Sequence, residues 1–255
     1  MPPPRSPAYH GPPRLEFVMA DRWQDHVPSS HGPLEEILPG LWTVRAESRP
    51  IERRMVLWRG TGGVLVVHSA IALQEAGMEA LAAIGEPTHM IVPNGFHRMD
   101  CGVWKDRFPK LRVLAPAAAR KRVEERVAVD ATAEDGLAET GTAFHTPIGT
   151  KPGELLYEIT TPQGRALVAA DLLFNLSRDP GGFSGFILRH VTASLGPLGT
   201  SRVFKLLVQT DREAYRGWWA RLAESPDLKA LLVAHGDVVT GDVGAQIREA
   251  IPRFR

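Results

Sequence analysis

Four apolar segments of the chain each run into a residue that can bind a metal or move a proton. Val64–Val67 leads into His68, and Met90–Val92 into the loop Pro93-Asn94-Gly95-Phe96-His97-Arg98-Met99-Asp100. Ala166–Ala170 leads into Asp171, and Ala230–Ala234 into His235-Gly236-Asp237. Imidazole and carboxylate groups coordinate zinc, iron or manganese and serve as general acids and bases. A polar residue at a strand end can equally cap a helix or satisfy a loop carbonyl. His68-Ser69 is read in that second way, with Ser69 opening the following helix. His235 is different, because the glycine behind it sets the imidazole at a tight turn that a ligand can approach. Asp171 follows small and apolar residues, and a carboxylate buried there needs a cation or several donors.

The remaining candidates are weaker. His145, in Phe144-His145-Thr146-Pro147, reads as a surface histidine on a strand. His10, His26, His31, His89 and His190 read as structural or solvated. Cys101 could act as a nucleophile near His97, but a lone cysteine at a helix start is more often a small packing residue. No GxSxG nucleophile elbow and no HExxH zinc motif occurs. Gly181-Gly182 is too isolated to form a phosphate loop.

The elements that must position these residues follow from hydrophobic patterning. Strands are predicted at Leu41–Arg45, Met55–Arg59 and Val64–Val67, the last covered on both faces because its aliphatic run is continuous. Leu73, Gly77, Ala80, Leu81 and Ile84 recur at helical spacing, and Gly85 with Pro87 stops that helix. A strand at Met90–Val92, a helix around Gly102–Arg107 and a strand at Leu111–Leu114 complete a β-α-β-α-β series. Pro162-Gln163-Gly164 predicts a hairpin between Glu154–Ile159 and Arg165–Ala170. Asp211 caps a helix whose face is Tyr215, Trp218, Trp219 and Leu222, followed by a strand Ala230–Val233 and a helix from Asp242 to Ala250. Hairpins in both halves, each followed by a helix and a strand, predict an α/β protein with two sheets packed between outer helices.

Composition narrows the classes. The chain has 255 residues, 30 basic and 29 acidic side chains, and a net charge of +1, too balanced for a duplex nucleic-acid binder with a long basic face. A single cysteine allows no internal disulfide and no zinc site of paired thiolates. No stretch reaches the length of a membrane helix and the start lacks a secretory pattern, so the chain is read as cytoplasmic. Eight of its 21 prolines precede Leu34, which predicts an extended proline-rich arm over residues 1–33 and a single domain over 34–255. Phe17, Val18, Met19 and Trp23 in that arm could pack onto the domain or a partner.

Taken in order, His68-Ser69-Ala70-Ile71-Ala72-Leu73, Val92-Pro93-Asn94-Gly95-Phe96-His97-Arg98, Phe108-Pro109-Lys110-Leu111-Arg112-Val113 and Asp171-Leu172-Leu173-Phe174-Asn175-Leu176 resemble an uncharacterised divergent branch of the metallo-β-lactamase-like fold superfamily. Val233-Ala234-His235-Gly236 is similar to the end of the broader superfamily. The resemblance implies a four-layer αββα sandwich. Catalytic members carry an HxHxDH motif, a later histidine, a bridging aspartate and a final histidine that together hold one or two metals. Here the first motif is absent, and Asn94 to Cys101 take its place with His97 and Asp100 as its plausible ligands. The later histidine is expected near Pro147-Ile148-Gly149-Thr150, which contains none. Asp171 matches the bridging aspartate and His235 the final histidine.

That comparison leaves two expectations. One is a metal-dependent hydrolase of a small ester, thioester, lactone or phosphoester. Its rearranged mononuclear site is formed by His97, Asp100, Asp171 and His235 around zinc, iron or manganese, with His97 and Asp100 also in acid/base roles. The other is a metal-free protein that keeps the fold for binding or assembly, with Phe183, Phe186, Ile187 and Leu188 as a contact patch for a protein partner or a second copy. Neither involves nucleic acid or membrane.

Overall fold

The computed structural model describes residues 22–47 and 51–254. Its first sheet contains β1 (Ser30–His31), β2 (Glu35–Leu38), β3 (Leu41–Glu47), β4 (Arg53–Arg59), β5 (Leu65–His68), β6 (His89–Ile91), β7 (Arg112–Ala115) and β8 (Ala131–Thr132). They run in the order β1-β3-β4-β5-β6-β7-β8, with β2 paired to β3. The second sheet contains β9 (Ala143–His145), β10 (Leu156–Thr161), β11 (Gly164–Ala169), β12 (Leu228–Val233) and β13 (Val239–Thr240), in the order β13-β12-β11-β10-β9. The expected hairpin is β10 with β11, antiparallel, while β11 and β12 are parallel.

Three apolar clusters show the layering. Val67, Met90 and Val113 pack with Met78, Leu81 and Trp104 of the helices Glu75–Ile84 and Cys101–Arg107. Leu167, Leu231 and Val233 pack with Tyr215, Trp219 and Ile247 of the helices Arg212–Leu222 and Val243–Ala250. Between the sheets, Trp58, Val66, Ile91 and Leu114 meet Tyr157, Val168, Ala230 and Leu232. The molecule is therefore an αββα sandwich, with each sheet buried on both faces. Side chains alternate across a strand, so β5 sends Leu65 and Val67 to the helices and Val66 to the other sheet. Leu65, Val66 and Val67 are buried, as the unbroken aliphatic run predicts, and so is His68, which follows that run. A fully buried aliphatic or aromatic side chain stabilises the fold by about 1.5–3 kcal/mol.

The cap expected at Asp211 is present, and Asp242, read as the start of the last helix, caps it in the same way. The Asp211 carboxylate accepts from the Ala214 amide at 3.0 Å and Asp242 from Ala245 at 2.8 Å. Within the stretch expected as an arm, residues 22–33 are folded onto the domain. Trp23 donates its indole N–H to the Leu73 carbonyl at 2.8 Å and packs against Trp104, and β1 pairs with β3. Pro28 and Pro33 flank β1 without entering it, so no ladder donor is lost. Phe17, Val18, Met19 and His10 lie outside the described residues. Among the described residues no helix is long and apolar enough to cross a membrane.

Candidate metal centre

Strand register brings two of the site residues together. Ala169 of β11 is paired with Val233 of parallel β12. Asp171 and His235, each two residues beyond that pair, leave the sheet side by side at its carboxyl edge. In the other sheet, β5 and β6 are parallel, with His68 opposite Ile91. His97, in the loop after β6, reaches across from that sheet. Ligands in layered α/β proteins commonly bind at such strand ends. Gly236 makes the turn after His235 with φ +110°, and a Cβ at that position would stand 2.0 Å from the Asn175 carbonyl oxygen. The tight turn read at His235-Gly236 is thus a close backbone crossing that only glycine permits.

His97, Asp171 and His235 point donor atoms at one place. Asp171 Oδ1 lies 3.3 Å from His97 Nε2 and 3.2 Å from His235 Nε2. Each imidazole has its other nitrogen held: His97 Nδ1 is 3.2 Å from Ser69 Oγ, and His235 Nδ1 is 2.8 Å from the Glu52 carbonyl oxygen. Phe174 stacks on the His235 ring with centroids 5.3 Å apart and an interplanar angle of 7°. A carbonyl only accepts, so His235 Nδ1 carries a proton. In the neutral ring Nε2 would then present its lone pair to the Asp171 carboxylate. The arrangement calls for a cation between them, either a second proton on His235 or a metal ion. Burial opposes a charged His235, but the Asp171 carboxylate and the Glu52 carbonyl prevail and raise its pKa. Burial likewise opposes the Asp171 carboxylate, yet His97 and His235 hold its pKa well below the ordinary range.

The donor set fits a metal. Two imidazole nitrogens and one carboxylate oxygen form a common three-residue set for zinc and other first-row ions. Donors about 2.0–2.2 Å from a shared tetrahedral ion stand roughly 3.3–3.5 Å apart, close to the two separations seen here. The contacts of Ser69 and Glu52 with the outer nitrogens are those that orient metal-binding imidazoles.

Around the cluster lies a polar clamp that the sequence reading missed. Glu154, expected at the head of a strand, precedes β10 and accepts hydrogen bonds from the backbone amides of Ala170, Asp171 and Leu172. Asn94 donates its side-chain N–H groups to Glu154 Oε2 at 3.0 Å and Asp171 Oδ2 at 2.8 Å, while its own carbonyl accepts from the Phe96 and His97 amides. One asparagine thus ties the His97 loop to the Asp171 turn. Burial and the neighbouring Asp171 push the Glu154 carboxyl up to about 7. Asn94, before a glycine in a loop, carried a turn signal; nothing local marked Glu154.

Asp100 is placed apart from this cluster. Its buried carboxylate accepts from the Ala72 amide at 3.1 Å and pairs with Arg53 and His26, each at 3.1 Å. It precedes the helix Cys101–Arg107 without capping it through its side chain. Cys101 is buried, donates to the Arg98 carbonyl, and has its thiol pushed up to about 11 by burial, which fits the packing role. His145 bonds Glu158 at 2.8 Å on the β9–β10 pair.

His68 and Ser69 depart from the capping expectation. The next helix begins only at Glu75, and Ser69 has φ +55°, unusual for a residue other than glycine. Its hydroxyl faces His97 instead. His68 turns between the sheets against Trp58 and Tyr157, with neither ring nitrogen hydrogen-bonded. Burial lowers its pKa to about 3, so the ring is neutral.

The cluster lies in the wall of a cavity of about 730 Å³, whose lining includes Asn94, Glu154, Phe174 and Leu188. Of the four residues expected as a contact patch, Ile187 and Leu188 line this cavity, whereas Phe183 and Phe186 are 79% and 55% exposed.

No family model matches the chain and no curated protein matches it. Solved structures do. A metallo-β-lactamase from Pseudomonas aeruginosa in its mono-zinc form aligns with TM-score 0.54 and 10% identity, over 87% of this chain and 96% of that one. One from Hirschia baltica gives 0.53 and 12%, over 88% and 100%. One from Erythrobacter litoralis with β-mercaptoethanol in the active site gives 0.55 and 10%, over 86% and 95%. At these identities the likeness establishes the fold: the chain has the metallo-β-lactamase-like α/β sandwich.

Proposed function

We propose that this protein is a metal-dependent hydrolase acting at a mononuclear site of His97, Asp171 and His235. The observation that carries the reading is the bare geometry at His235. Its Nδ1 is committed to the Glu52 carbonyl while its Nε2 faces the Asp171 carboxylate 3.2 Å away, which leaves a place for a cation. A transition-metal ion there would supply Lewis-acid polarisation of a carbonyl or phosphoryl oxygen. The chain's own residues do the rest. Ser69 and Glu52 fix the two rings, Asn94 holds Asp171 Oδ2 so that Oδ1 faces them, and Glu154 anchors the Ala170–Leu172 backbone. The cavity beside the cluster supplies room for an ester, thioester, lactone or phosphoester. The mono-zinc form of the P. aeruginosa enzyme is a precedent for one ion on this fold.

Metal analysis of protein purified without chelator tests the reading. About one equivalent of zinc, iron or manganese is expected, falling severalfold in each of His97→Ala, Asp171→Ala and His235→Ala. Less than about a tenth of an equivalent, together with an unchanged melting temperature after adding each metal, would overturn it.

The exposure of Phe183 and Phe186 favours a second reading, a non-catalytic binding or assembly protein that uses this patch against a protein partner or a second copy. Light scattering over a range of concentrations tests it. Association that disappears in Phe183→Ser/Phe186→Ser supports assembly, and a strictly monomeric wild type with no captured partner opposes it.

A further inference from the structure

The lining of the cavity is mixed in chemistry. One part of it is His97, Asp171 and His235. Another comes from residues 187–208, in the helical turn Ile187–Val191, the helix Arg202–Leu207 and the residues beside them, and presents Ile187, Leu188, Val203, Phe204, Leu207 and Val208. The hydroxyls in that segment are engaged within it, Thr192 with Ser194 and Ser201 with the Phe204 amide, so a ligand part lying there gains free energy mainly from apolar area.

The charges at the lining are one-sided. Among the described lining residues the carboxylates are Glu154 and Asp171, both tied into the cluster and its clamp. Arg53 is paired with Asp100, and Arg54 with the Gly236 carbonyl. Arg122 and Lys151 remain at the mouth. Arg122 runs its aliphatic stem across Gly95, where a Cβ would stand 2.6 Å from Arg122 Cγ, and its side chain is 62% exposed with Glu125 no closer than 3.9 Å. The Lys151 ammonium donates to the Leu207 carbonyl at 2.9 Å, beside the apolar wall. An apolar chamber with cations at its mouth suits an anionic amphiphile.

We propose that the ligand of this cavity is an aliphatic acyl compound that also carries an anionic group, with its chain against the 187–208 wall and its anion met by Arg122 and Lys151. This deepens the hydrolase reading and rests on it for the reaction. Water adds to the acyl carbonyl carbon, the acyl–oxygen or acyl–sulfur bond breaks, and a proton passes to the departing alcohol or thiol, leaving a carboxylic acid.

Titration calorimetry with octanoate, dodecanoate and dodecyltrimethylammonium tests the binding directly, on chelator-treated and on zinc-treated protein. Each buried methylene is worth about fourfold in affinity. Dodecanoate should therefore bind more than about tenfold tighter than octanoate, and more than about tenfold tighter than the cationic probe. Val203→Glu, at the partly exposed mouth, should weaken dodecanoate about tenfold, and Arg122→Glu/Lys151→Glu should abolish the preference for the anion. Absence of dodecanoate binding in both preparations overturns the proposal. So does affinity independent of chain length, or a preference for the anion that survives charge reversal. Chain-length-dependent binding by protein that takes up no metal would sustain the ligand class while removing the metal reading. Metal uptake without such binding would do the reverse.

Discussion

Asp100 and Asp171 are two carboxylates of one molecule with opposite surroundings. Both follow apolar strands, and both contact imidazoles, His26 for Asp100 and His97 with His235 for Asp171. Asp100 also meets the guanidinium of Arg53 and the amide of Ala72, so its charge is already compensated in a site closed to solvent. Among the described residues no guanidinium pairs with Asp171. Its counter-charge must come from a proton or an ion, and its side chain is 25% exposed in the cavity wall. A permanent cation built into the fold makes a structural carboxylate, and a replaceable one makes a candidate binding site.

Asp100→Ala tests this contrast most severely. It removes the buried partner of Arg53, which lines the cavity, and leaves the Ala72 amide without its acceptor; breaking a fully buried pair typically destabilises by about 3–5 kcal/mol, and this partly buried one should lose somewhat less. Denaturant melts should show that loss while the metal content stays at the wild-type level. Loss of metal with unchanged stability would reverse the roles assigned to the two aspartates.

Next in size is an acid effect at His68. Its folded pKa of about 3 lies below the usual value of about 6.5. The unfolded chain therefore takes up a proton first as the pH falls. The stability that the neutral ring allows is complete above about pH 6.5 and is lost between there and about pH 3, at up to roughly 1.4 kcal/mol per pH unit. His68→Phe, which replaces two unpartnered ring nitrogens with carbon, should flatten the stability-versus-pH curve over that range. An unchanged slope would show that the ring finds a partner.

Ser69→Ala frees His97 Nδ1 without touching a ligand atom. Removing such an orienting contact should weaken metal binding by about 10–100-fold in a competition titration. The smallest effect is expected at Cys101→Ala, about 1 kcal/mol of stability with metal binding unchanged.

Much of this arrangement could be read from the chain. Unbroken apolar runs located β5, β11 and β12, and the polar residues closing the last two, Asp171 and His235, stand in the cluster, whereas His68 after β5 is buried between the sheets. Glycine after His235 marked a tight turn, and the structure shows a close backbone crossing there. The clamp could not be read, because Glu154 has no local signature and acquires its role from three amides 16 to 18 residues away. Ser69 was legible as polar at a strand end, but a helix cap and an imidazole partner look alike in one dimension.

By itself the sequence determined the two-sheet α/β pattern, the rim, and the residue types available there, because periodicity and punctuation are properties of neighbouring residues. Only the tertiary structure separates His97, which it puts beside Asp171, from Asp100, three positions on in the same loop. His97 turns to the cavity because Asn94 and Ser69 hold it there. Asp100 turns inward because Arg53, His26 and the Ala72 amide satisfy its charge. Those partners come from distant segments, and long-range charge compensation exists only once the chain is folded.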